Sequence, residues 1–173
     1  MIGIETRPWP YRSAIIGYRT WAIDESGWLE APFKRRRWRG PIAHARCHPD
    51  WFYDGVKMGL KGILTRHAPH PDHCCGLYAY HEPRTPHFDE VAGAVVCWGR
   101  VLIHSKGVRA QHMRILALAV PRGLVGPTVD PRPSHVALAG ERYRVPVLSH
   151  ADELPAFASE YGVIVPEHRR PAS

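Results

Sequence analysis

What this chain lacks narrows it first. No stretch of the 173 residues approaches the roughly 18–20 consecutive apolar positions that a membrane-spanning helix needs. The opening residues Met1-Ile2-Gly3-Ile4-Glu5-Thr6-Arg7-Pro8 do not follow the charged-then-apolar order of a secretory signal, so the expectation is a cytoplasmic protein with no membrane partner. Gly-x-x-x-x-Gly-Lys, Gly-x-Ser-x-Gly, Gly-x-Gly-x-x-Gly and His-Glu-x-x-His are all absent, which removes the commonest phosphate-loop, hydrolase, dinucleotide and metalloprotease readings. A deaminase-type His-x-Glu with Pro-Cys-x-x-Cys is missing too, so a metal-activated water would have no ready acid–base partner. Internal repeats are absent. Acid is in deficit: 16 Asp and Glu face 23 Lys and Arg, for a net charge of +7. That balance suits polyanionic partners, nucleic acid or an acidic protein surface. Cysteine is scarce, and four thiols in a chain expected to be intracellular point to ligands or buried thiols rather than a disulfide framework.

Strand signals dominate what is present. Residues 14–24 are rich in β-branched and aromatic side chains, Glu25-Ser26-Gly27 supplies a turn, and residues 28–33 return, which predicts a hairpin whose second strand is limited by Pro32. Residues 41–47 read as a short strand ending on Cys47, residues 50–65 as helical or irregular, and residues 76–80 as another strand. Two long apolar runs, 91–104 and 108–121, flank Ser105-Lys106-Gly107 and give the clearest hairpin signal, with Gly93 and Gly99 as candidate bends or bulges. After a proline-rich connector over 121–133, Ser134 opens a predicted helix to Tyr143. Residues 145–148 read as a strand, and Asp152 through Tyr161 as a second helix with Leu154, Phe157 and Tyr161 as its packing stripe. Residues 163–165 read as a return to the sheet and 168–173 as a basic tail. The expectation is one α+β domain over 1–173: an extended arm (1–13), a β-rich metal-binding core (14–120) and a helical C-terminal part (134–165). Its centre is a curled, mainly antiparallel sheet of five to seven strands, or a small open β-barrel.

Two clusters carry the candidate chemistry. Lys34, Arg35, Arg36, Arg37, Trp38 and Arg39 form the sharpest charge cluster, expected on a solvent-facing edge where it could contact phosphates while Trp38 stacks on a base. The second cluster, Arg66 through Tyr80, packs three histidines and two cysteines into residues 67–75 and then becomes strand-like. Zinc prefers four thiolate and imidazole ligands in tetrahedral array. Strand alternation puts residues 73 and 75 on one side and 74 on the other, so the expected ligands are Cys47, His67, His73 and Cys75, with Cys74 as the alternative to His73. Four protein ligands close a zinc site and make it structural, while an iron–sulfur cluster is the lesser alternative. His48 and His70 read as surface residues, Cys97 as a core thiol, and His104 and His112 as satisfied or exposed histidines that could face each other or Glu90.

The segments His67-Ala68-Pro69, His73-Cys74-Cys75-Gly76-Leu77-Tyr78-Ala79, Cys97-Trp98-Gly99-Arg100-Val101 and Gly107-Val108-Arg109-Ala110 resemble a group of small uncharacterised actinobacterial and phage proteins. That group carries a cysteine, His-x-Ala-Pro, Cys-x-Cys-Gly-Ile-Tyr-Ala, Leu-Trp-Gly-x-Val and a Gly-x-Arg-Ala turn. The resemblance covers about residues 15–120, and His73 stands where the first cysteine of Cys-x-Cys stands. It implies a shared metal-bearing β fold and no particular activity. The expected function is a non-enzymatic, zinc-stabilised module that binds nucleic acid through the basic patch. The alternatives are a regulatory factor acting on an acidic protein surface and a metal-dependent hydrolase with an open coordination position.

Overall fold

The computed structural model describes residues 14–32, 36–45, 69, 75–86, 90–120 and 133–171. The expected arm, the segment 50–65 and all but the last residue of the 121–133 connector lie outside the described residues.

Strand β1 (Ile15–Ile23) turns into β2 (Leu29–Glu30), with Ile23 opposite Leu29. Asp24 makes the turn: its carboxylate accepts the backbone N–H groups of Ser26 and Trp28, both at 2.9 Å. A short acidic side chain thereby satisfies donors that the tight turn leaves unpaired. The longest elements are β5 (Glu90–Ile103) and β6 (Gly107–Ala119), an antiparallel hairpin as expected. The other edge of β6 is shared along its length by β4 (Leu77–Tyr80), then β3 (Ile42–His44), then β7 (Val147–Leu148). β1 pairs with β5 over residues 15–22 and meets β4 at Tyr18 opposite Tyr80, so β1, β4, β6 and β5 form a closed ring of pairings. β8 (Val163–Ile164) adds to β1. The eight strands are mostly antiparallel, with β7 and β8 parallel to their partners. Two short helices, α1 (Pro133–Tyr143) and α2 (Leu154–Ala158), follow β6, in line with the expected α+β class.

Alternation along β1 divides the interior. Ile15, Trp21 and Ile23 join Val91, Val95, Cys97, Met113, Ile115 and Leu118 in the larger core, which α1 completes with Val136, Ala139 and Tyr143. Ile16 and Tyr18 point the other way, to Ala92, Ala94, Leu116 and the α2 residues Leu154 and Ala158. Each fully buried aliphatic side chain contributes about 1.5–3 kcal/mol of transfer free energy, so two separate faces stabilise the same strands. The second helix is shorter than its apolar spacing predicts. A 3-10 turn (Ala151–Glu153) precedes it, and beyond it Ser159 Oγ donates to the Ala156 carbonyl at 2.7 Å, a local bond that competes with helix propagation. Tyr161, expected in the packing stripe, is 48% exposed.

A register shift interrupts the β5–β6 ladder between Trp98 and Val101. Gly99 sits there at φ 81°, and a Cβ on it would lie 2.8 Å from both Gln111 Oε1 and His112 Cδ2. Only glycine meets both demands, positive φ and close approach.

Candidate functional site

Of the segments singled out in the sequence, residues 77–80, 97–101 and 107–110 lie on neighbouring strands of the sheet. Leu77, Tyr78, Ala79 and Tyr80 pair with Ala110, Arg109, Val108 and Gly107, and on the far side of β6 Val101 and Leu102 pair with Ala110 and Arg109. Arg109 is 4% exposed and is the hub of this junction. Its Nε donates to His104 Nε2 at 2.9 Å and one terminal nitrogen to the Cys75 carbonyl at 3.4 Å. His104 therefore holds its proton on Nδ1 and is neutral; burial, then Arg109 and His81, hold its pKa below the usual histidine range. His81 Nε2 donates to the His104 carbonyl at 2.9 Å, and burial depresses its pKa as well. Its Nδ1 is buried with no hydrogen-bond partner among the described residues. His104 and His112 do not face each other, because each meets a different partner.

Of the expected metal ligands, the structure describes Cys75, which is buried at the head of β4. Cys47, His67, His73 and the alternative Cys74 lie outside the described residues. Among the described residues no group of three or more His, Cys, Asp or Glu converges. Pro69 packs on the same corner, and a Cβ on Gly76 would come within 3.0 Å of its ring. Cys97 is 1% exposed, and burial pushes its thiol up to about 12, the behaviour of a packing cysteine.

The basic run is divided by the fold. Lys34 and Arg35 lie outside the described residues. Arg37 is committed locally, bonded to Asp24 at 3.2 Å and Glu30 at 3.4 Å with its guanidinium 5.1 Å from the Trp28 ring. Trp38 points inward: it is 5% exposed and sits edge-on to Trp21 at 5.4 Å. Tyr143 donates its hydroxyl to the Trp38 carbonyl at 2.7 Å and accepts the Leu29 N–H at 3.1 Å, which locks this segment to α1. A ring so placed has no free face for a base. Arg36 and Arg39 are exposed, and Arg39 precedes β3 by three residues.

An aromatic row that sequence reasoning did not assemble lies on β3, β6 and β5. His44, His112 and Trp98 occupy directly opposed positions on the three strands. The His44 and His112 rings meet at 4.9 Å, and the Trp98 ring lies 5.5 Å from His112 at a tilt of 35°. The next row is Ile42, Arg114 and Val96, with Ile42 46% exposed and Arg114 exposed. α2 packs on this side of the sheet at Ala92, Ala94 and Leu116, and Val96 joins the same cluster, while Ile42, Arg114 and the row of rings are not part of it. The missed signal was the alternation of polar and aromatic residues in both segments; the register that joins them is non-local and has no sequence mark.

Arg19 is the other residue missed. It lies on the interior side of β1 with its guanidinium 5.5 Å from the Trp38 ring and 5.8 Å from the Trp21 ring, donating to the Tyr78 carbonyl. Burial lowers its pKa to about 10. Comparison of the chain with protein-family models, curated proteins and solved structures gave no match.

Proposed function

We propose that this protein binds single-stranded nucleic acid on the face formed by β3, β6 and β5. The observation that supports this reading is the row of three rings, His44, His112 and Trp98, next to exposed Arg114 and outside the cluster to which α2 belongs. Bases stack on aromatic side chains with little regard to sequence, about 1–3 kcal/mol per base, while cations track the phosphates. The net charge of +7 and the exposed Arg36 and Arg39 supply the surrounding field. Trp98 takes the stacking role that the sequence suggested for Trp38.

A structural zinc held by Cys47, His67, His73 and Cys75, or by Cys74 in place of His73, belongs to the same proposal. Two thiols and two imidazoles are a donor set that zinc prefers, and the buried Cys75 fits a ligand shielded from solvent. Bound there, the metal would supply folding energy rather than chemistry.

Fluorescence anisotropy with a labelled single-stranded oligonucleotide tests the interface. Arg114→Glu is expected to weaken binding at least tenfold and to flatten its salt dependence. Arg142→Glu, whose parent side chain stacks on Trp28 at 4.1 Å, leaves binding within about twofold. Affinity that ignores Arg114→Glu, or that does not fall as salt rises, rejects the reading. Exposed Ile42 favours a second reading, an acidic protein partner on the same face; complexes that survive nuclease treatment would mark it.

A further inference from the structure

His44 and His112 stand opposite each other on adjacent antiparallel strands, and their Nδ1 atoms are 2.7 Å apart with the rings crossed at 81°. A hydrogen bond between two Nδ1 atoms requires one ring to carry its proton on Nδ1 and the other on Nε2, so the in-plane axes of both nitrogens converge. The geometry points to a site for a divalent transition-metal ion in which both Nδ1 atoms are ligands.

Metal–imidazole bonds of about 2.0–2.1 Å at a right angle place two nitrogens about 2.9 Å apart, and a tetrahedral angle about 3.4 Å. From 2.7 Å the pair has to open by about 0.2 Å for a right angle and about 0.7 Å for a tetrahedral one, with a turn of the rings toward the ion. β3 is three residues long and ends the strand order, paired to β6, so it is free to make that shift without disturbing the ring of four strands. His44 is exposed, which gives the ion a path from solvent.

Metal ligation needs neutral imidazole. The Nδ1–Nδ1 hydrogen bond already requires the accepting ring to carry a bare nitrogen at that position. On binding, the donor ring moves its proton from Nδ1 to Nε2 by exchange with water. One hydrogen bond breaks, two nitrogen–metal bonds form, and no net proton is released. No third His, Cys, Asp or Glu joins the pair among the described residues. Two nitrogen donors and no carboxylate favour Cu2+, Ni2+ or Zn2+ over Mg2+ or Ca2+. Neither histidine is among the proposed zinc ligands, and the inference does not depend on the nucleic-acid reading.

The test is titration of Ni2+ alone into the full-length protein, followed by calorimetry and thermal unfolding. An ion that clips β3 to β6 binds the folded state and raises Tm with concentration. His44→Ala, a change at an exposed position, is expected to weaken Ni2+ binding at least tenfold and abolish the Tm shift, and His112→Gln to do the same. His150→Ala, the loss of an isolated exposed histidine, leaves both unchanged. Ni2+ binding that is as tight in His44→Ala as in the wild type overturns the proposal, as does a Tm shift that survives His44→Ala and vanishes in Cys75→Ala.

Discussion

Two histidines with depressed pKa values give the junction at Arg109 a pH signature. His81 and His104 are held neutral, first by burial, with Arg109 and Arg170 adding repulsion. In the unfolded chain both return to about 6.5. Below that value the unfolded state binds more protons than the folded state, so stability falls as pH falls. Their contribution is complete above pH 6.5 and is lost as pH drops through the depressed folded values. Urea midpoints measured between pH 7.5 and 5 are expected to decline, and His81→Leu, which has no proton to take up at that position, to decline less. Equal slopes for both proteins would refute the assignment. The same scale explains why Trp38 was misread. Arg37-Trp38-Arg39 alternates charged, aromatic, charged, the period-2 pattern of a strand with one face buried. Net charge hid an inward tryptophan.

At the scale of elements, the bulge at Gly99 determines how β5 presents Trp98 beside His112. Gly99→Ala would combine a positive φ that costs L-residues about 1–2 kcal/mol with two contacts at 2.8 Å. The expected outcome is a loss of at least 1–2 kcal/mol in denaturant unfolding, with chemical-shift changes centred on Gln111 and His112. A neutral substitution would mean that β5 relaxes there without strain. Both hairpins were legible because their turns carry local chemistry: Asp24 with Gly27, and the Ser105-Lys106-Gly107 triplet. The parallel pairings of β7 and β8 were not. The strands themselves were read at 145–148 and 163–165, but the partner of Val163–Ile164 lies near the other end of the chain and leaves no local mark.

For the whole molecule, the proposed zinc makes stability and metal content one quantity. Chelation is expected to lower Tm, and Cys75→Ala to lower metal content and Tm together, with a loss of several kcal/mol of unfolding free energy. Metal lost with melting unchanged would show that the larger core holds the fold alone. Strand content and the α+β class were readable from apolar runs. The joining of His44, His112 and Trp98 was not, since it depends on β3 docking against the middle of a strand about seventy residues away.

The ring of strands also has an order of assembly written into it. β1 precedes the other strands, and apart from the two-residue β2 its partners are the distant β4, β5 and β8, the last pairing Ile15 with Val163. β5 and β6, joined by a short turn, close quickly; β1 waits for distant segments and pays a long-loop entropy before any reward. The last pairing of that strand, Ile15 and Ile16 with Val163 and Ile164, cannot form until residue 164 is made, so the sheet is completed late in synthesis.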